Sequence, residues 1–209
     1  MPPPADAPPA PPGADVRAGL ADEYARVTRH TEARATSSRD ILILFSGPYD
    51  RPDGLATFLS RLGFHPVLID SDPKHGGGAE HDILRDRVYD ALQARAHRGD
   101  FFAVFTAPPC SSFSVSRFYK PKDGMRGPPP LRDHDHPLGL PSLSPRRQQQ
   151  VSEANLIIAR TDAIVLAGAQ AGSEYIIENP PDQSDRNSPL YLNARHCPLW
   201  RLPTISTLK

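Results

Sequence analysis

Four short apolar runs constrain this chain most. They are Ile41-Leu42-Ile43-Leu44-Phe45, Pro66-Val67-Leu68-Ile69, Phe101-Phe102-Ala103-Val104-Phe105-Thr106 and Glu174-Tyr175-Ile176-Ile177. Each has strand length, and each reads as apolar throughout rather than alternating. Strands of that kind are buried on both faces and belong to parallel sheets covered by helices. The intervening segments fit. Leu55 to Leu62 carries Leu55, Phe58, Leu59 and Leu62 on one helical face, and Gly63 stops it. Leu84 to Ala96 spaces Leu84, Val88, Leu92 and Ala96 by four. Pro145 opens a long helix to Ala171, with Ala154, Ile157, Ile158, Ile164, Val165 and Ala169 as core candidates. The expected fold is therefore α/β with a mostly parallel sheet.

The flanks are different in kind. Residues 1–39 begin with a proline-rich run that cannot form helix or central strand, and the expectation is a disordered tail and linker. Such a tail could also dock SH3-like domains. Residues 40–209 are expected to form the one domain, interrupted by a long loop at 111–145. After Pro181 the expected anchors are Leu190, Tyr191, Leu192, Leu199 and Trp200. No apolar run approaches the roughly 20 residues that span a bilayer, so no membrane association is expected. Cys110 and Cys197 give no disulfide framework, which points to a reducing compartment. The expected location is intracellular, nuclear if the source is eukaryotic and cytoplasmic otherwise.

The chemistry gathers where the strands end. Phe45-Ser46-Gly47 closes the first, and a glycine at such a turn lets backbone approach a ligand. Asp70 closes the second, at the distance from Gly47 where an acid binds a ribose hydroxyl, and Asp72 competes for the role. Asp82-Ile83 follows a glycine linker, and Asp82 could accept from an exocyclic amine. Asp53 reads as a helix cap. Ala107-Pro108-Pro109-Cys110-Ser111-Ser112-Phe113-Ser114 follows the third strand, and Glu178-Asn179-Pro180 the fourth. A thiol and a carboxylate at the ends of two strands could face one pocket, which suggests nucleophilic catalysis with a carboxyl partner.

In that order these motifs resemble those of the DNA cytosine-5 methyltransferases. The resemblance covers roughly Asp40 to Pro181, and only the nucleophile loop is specific by itself. It implies a Rossmann-like S-adenosylmethionine-dependent methyltransferase fold, incomplete at its C-terminal end. It implies that Cys110 adds to carbon 6 of cytosine, that Glu178 holds the N3 and amino edge, and that S-adenosyl-L-methionine is the cofactor. Phe45, Ser46, Gly47, Asp70, Asp82, Ile83 and Pro108 would bind the cofactor. Pro109, Ser111, Ser114, Asn179, Arg146 and Arg147 would bind the substrate, which is expected to be DNA. The target base would have to leave the helix.

The chain departs from the family. Pro48-Tyr49-Asp50 stands where a second glycine is usual, the stretch between Asp70 and Asp82 is short, and Pro180 follows Glu-Asn. No Gln-x-Arg-x-Arg motif or target-recognition region follows Glu178, so a longer chain or a partner chain is expected to supply it. The alternative reading is a catalytically inactive Rossmann-like binding or interaction module, or the remnant of a longer methyltransferase. A third is a cysteine hydrolase, with His134 or His136 folding back as base.

Net charge is zero, and gives no general nucleic-acid signal. The loop is locally basic, however. Arg117, Lys120, Lys122, Arg126, Arg132, Arg146 and Arg147 outweigh Asp123, Asp133 and Asp135, and loop cations suit phosphate. The bland reading of that loop is a solvated surface. His134-Asp135-His136 lacks metal-ligand spacing, and no metal is expected. Cys197 reads as a packed thiol beside Trp200.

Overall fold

The computed structural model describes residues 38–119 and 127–205. The expected tail at 1–39 falls almost wholly outside them, as do Lys120, Lys122 and Arg126.

Four strands form one sheet: β1 (Asp40–Leu44), β2 (His65–Ile69), β3 (Ala103–Thr106) and β4 (Glu174–Ile177). Their order is β2-β1-β3-β4 and every pairing is parallel. The chain is therefore an α/β protein, and this sheet is compatible with a Rossmann-like fold. Leu44 pairs with Ile69 and with Thr106, and Thr106 pairs with Ile177. All four strands thus end level, along one edge. The order turns back between β1 and β3, the place where open α/β sheets seat ligands.

Three helices connect the strands: α1 (Leu55–Arg61), α2 (Asp86–His97) and α3 (Pro145–Gln170). Leu42, Leu44, Ile69 and Val104 face α2 and α3, and bury against Leu92, Ala96, Ile164, Val165 and Ala167. This is the main core. Ile41 and Ile43 are buried on the opposite face. There the expectation of full cover fails. The helix α1 lies against β2, and none of its residues is buried. Leu55, Phe58 and Leu62, read as its core stripe, are exposed. A helix of two turns covers little of a sheet, so Ile176 on β4 remains 60% exposed on that face. Its N-cap is Gly54, while Asp53 pairs with Arg51.

A second core lies beyond the sheet edge. Phe113, Ile158, Leu199, Leu202 and Ile205 are buried together, with Trp200 packed against them. Leu199 and Trp200 anchor the C-terminal segment as expected. Leu190, Tyr191 and Leu192 do not, because all three are exposed. Among the described residues no helix is long and apolar enough to cross a membrane.

Candidate active site at the carboxyl edge of the sheet

The turn after β1 carries backbone strain. Phe45 has φ +61, the one non-glycine residue with positive φ among those described. Such a conformation costs on the order of 1–3 kcal/mol and persists where its surroundings enforce it. The enforcement is visible: the Phe45 N–H donates to Ile69 O at 2.7 Å, and the Ser46 N–H to the same oxygen at 3.4 Å. Gly47 follows with φ +67, and a Cβ added to it would meet nothing within 4 Å. A side chain there would be strained by the backbone and would fill that space.

Asp70 ties this turn to the end of β2. Its Oδ2 accepts the Gly47 N–H at 2.9 Å, and its Oδ1 accepts the Asp72 N–H at 2.9 Å, with His75 Nδ1 at 3.2 Å. Burial pushes the carboxyl up, but the Asp72 and Gly47 amides and His75 outweigh it and hold it below the usual range. Asp72, the other candidate acid, caps the short turn that follows, its Oδ1 accepting from Lys74 N–H. That segment presses closely on Asp70. A Cβ on Gly77 would stand 1.6 Å from the Asp70 carbonyl oxygen. Asp82 accepts the Leu84 N–H at 2.9 Å, and Ile83 is a core residue whose carbonyl takes Arg160. A cavity of about 820 Å³ beside α2, lined by Ile69, Glu80, Arg85, Val88 and Leu92 among others, includes none of the sequence-predicted site residues.

The turn after β3 holds the thiol. Pro108 is buried, Pro109 exposed and Cys110 half-buried. The Phe113 N–H donates to Cys110 O at 2.9 Å, closing a tight turn. Ser111 is exposed, and Ser114 caps the following short helical turn by accepting the Ser116 N–H. At the end of β4 the Glu178 N–H donates to Thr106 O at 2.8 Å, while its side chain is exposed. The Asn179 side chain, expected to touch substrate, donates to Pro108 O at 3.1 Å. The ends of β3 and β4 are thus bonded to each other beside Cys110.

The basic loop divides. Arg146 and Arg147 lie exposed in the first turn of α3, a helix with no acidic residue there. Arg132 does not belong with them, because it is buried to 1% exposure. It is drawn inward by Phe113, whose ring its guanidinium covers at 3.9 Å, and by Ser112 and Asn155. Burial pushes it down to about 10. Arg117 is held by two carbonyls, Ser111 O at 2.6 Å and Pro129 O at 3.0 Å. His136 faces Asp133, and His134 faces Arg201. Among the described residues no group of three His, Cys, Asp or Glu side chains is placed to hold a metal ion.

Sequence reasoning missed His196. It is buried, and bonds Phe113 O at 2.8 Å from the C-terminal segment. A lone histidine in a non-periodic stretch gave no signal of this. No family model matches the chain, and no curated protein or solved structure matches it either.

Proposed function

We propose that this chain is a cytosine-5 methyltransferase-type domain, in which Cys110 is the nucleophile and Glu178 its carboxyl partner. The observation that carries the reading is the Asn179–Pro108 bond. It joins the two strand ends that bear the thiol and the carboxylate, in a sheet whose order turns back one strand away.

The residues at β1 and β2 fit S-adenosylmethionine. Gly47 leaves open space, and each carboxylate oxygen of Asp70 has about two acceptor sites, of which Oδ2 spends one on the Gly47 N–H. Gly47 and Asp70 would hold the cofactor. Bound there, it supplies the methyl group.

Cys110, as thiolate, adds to carbon 6 of an unstacked cytosine. Glu178 protonates or hydrogen-bonds N3, so that electron density moves to carbon 5. Carbon 5 would then be the nucleophile toward the methyl group that the bound cofactor supplies, with S-adenosylhomocysteine as the leaving group. Solvent water would take the carbon 5 proton, Cys110 would leave as the thiolate, and N3 would return its proton to Glu178, which restores the aromatic ring. Arg146 and Arg147, exposed and beside the loop, suit phosphate contacts.

The engagement of Asp70 favours a second reading. Its side chain is 15% exposed and already receives two backbone amides. A binding module that kept the architecture without turnover would look the same here. Calorimetric titration of the full chain with S-adenosylmethionine, alongside Asp70→Ala, separates the readings. Saturable binding lost in the variant, followed by covalent capture of 5-fluorocytosine DNA through Cys110, supports the enzyme. Binding without capture supports the module. Absence of binding to a folded chain overturns both.

A further inference from the structure

Three basic side chains grip the Cys110 turn from outside the sheet, one for each of its next three residues. Arg117 Nε donates to Ser111 O at 2.6 Å. Arg132 Nη2 donates to Ser112 Oγ at 3.1 Å, and its guanidinium lies over the Phe113 ring. His196 Nε2–H donates to Phe113 O at 2.8 Å, while its Nδ1 accepts the Gln183 N–H at 3.4 Å. Those two partners fix one ring tautomer.

The cost of this arrangement locates its purpose. Among the described residues Arg132 has no carboxylate partner. Its other bonds are to neutral oxygens, Pro137 O and Asn155 Oδ1, and its Nε has none. A buried cation among neutral acceptors stabilises less than an apolar residue of similar volume. What it does supply is direction: a rigid fork with one arm on Ser112 and the other on Pro137 and Asn155, and a flat face laid on Phe113. His196 spends its donor on the same residue, and Phe113 in turn closes on Cys110 O. Both side chains are 1% exposed, so neither reaches a ligand.

We propose that Arg132 and His196 are positioning residues that set the place of the Cys110 thiol. Through His196 the C-terminal segment from Asp182 to Ile205, and through Arg132 the loop before α3, govern the nucleophile turn, although neither adds a strand to the sheet. The inference rests on the reading of Cys110 as the working thiol.

The test uses the full chain and compares His196→Leu, His196→Gln, Arg132→Met and Arg132→Lys. Iodoacetamide alkylation is followed separately at Cys110 and Cys197 by peptide mass spectrometry, and capture of 5-fluorocytosine DNA is measured in parallel. His196→Leu and Arg132→Met are expected to raise Cys110 alkylation and lower capture, each by about tenfold, the effect of one good hydrogen bond. Buried Cys197 stays protected. His196→Gln retains a donor for Phe113 and an acceptor for Gln183, and restores both readouts. Cys110 reacting at the wild-type rate in the folded variants overturns the proposal. So does a parallel rise at Cys197, which marks general loosening, and so does failure of His196→Gln to rescue. If His196→Leu and Arg132→Met do not fold, Arg132→Lys carries the test. It keeps the charge but loses the fork and the stacking plane, so altered Cys110 alkylation supports the proposal and a wild-type rate overturns it. Absence of capture in the wild type sinks the methyltransferase reading alone, because alkylation requires neither cofactor nor DNA.

Discussion

The side-chain amide of Asn179 donates to the carbonyl of Pro108 across 3.1 Å, binding the end of β4 to the proline that precedes the Cys110 turn. The two residues are 71 positions apart, so the bond is a product of the fold and not of local geometry. Asn179→Ala is expected to lower stability by about 1 kcal/mol, the net worth of a neutral hydrogen bond. Capture of 5-fluorocytosine DNA should fall further than stability does, because the separation of thiol and carboxylate is no longer fixed. Asn179→Asp should be worse, since a carboxylate oxygen then faces a carbonyl oxygen. Denaturant unfolding and capture assays on the same preparations check both. Equal capture by wild type and Asn179→Ala removes the argument from this bond.

Gly77 constrains the turn at which the proposed cofactor would bind. Its Cα lies so near the Asp70 backbone that any side chain displaces one or the other. Asp70 holds the Gly47 N–H, so the displacement passes to the turn after β1. Gly77→Ala is expected to weaken S-adenosylmethionine binding by about tenfold or more while leaving the main core packed. Overpacking costs typically about 1–3 kcal/mol, within what a domain can bear. Calorimetry on a variant with an unchanged far-ultraviolet spectrum is the check, and unaltered affinity would separate this segment from the site.

The sheet was legible because its strands are short, centred on apolar runs and punctuated by glycine and proline. A strand such as β1, buried from Ile41 to Leu44, leaves little else for such a run to be, whereas β4 is exposed at Tyr175 and Ile176. The helix α3 was legible for the same reason, its apolar positions recurring over many turns. The burial of α1 was not. Leu55, Phe58 and Leu62 have helical spacing, but periodicity reports which residues share a face and not what that face meets. The site divided along a similar line. Gly47, Asp70 and Cys110 announce themselves by type and by position after a strand. Arg132 reads as one more loop cation until Phe113, Ser112 and Asn155 surround it, and those contacts join segments far apart in the chain. His196 and the second core lie in a stretch with no period at all, where burial is decided only by packing.

That difference in burial yields a contrast in stability. Phe58→Ser removes an exposed ring and should cost about 0.5 kcal/mol or less. Ile164→Ala, in the fully buried layer between α3 and the sheet, should cost about 2–5 kcal/mol. Urea midpoints of the two variants decide it. A large loss at Phe58 would mean that the α1 face is covered in the working protein.

The last prediction concerns acid, where two kinds of carboxyl act in opposite senses. Asp133 is buried, which pushes it up, but Arg195 and His136 outweigh burial and hold it below the usual range. Asp182 is likewise pushed up by burial and brought lower by Ser184 and Arg201. A carboxyl held low in the folded state stabilises the fold above its unfolded value and loses that contribution as pH falls through the folded one. For these two, and for Asp70, the loss comes below about pH 4. Asp162 is the reverse. Burial alone raises it, and its Oδ1 has no partner among the described residues. Its charged form therefore destabilises the fold above its folded value, and protonation relieves the cost as pH falls toward about 4. The thermal midpoint should climb on mild acidification and then drop. Asp162→Asn should abolish the climb, raise the midpoint at neutral pH and leave the acid drop in place. Asp133→Asn should do the opposite, flattening the drop while lowering the neutral midpoint, because Arg195 and His136 lose a charged partner. Midpoints measured from about pH 3 to pH 8 on the three proteins test each sign separately, and an unchanged climb in Asp162→Asn would place its origin elsewhere.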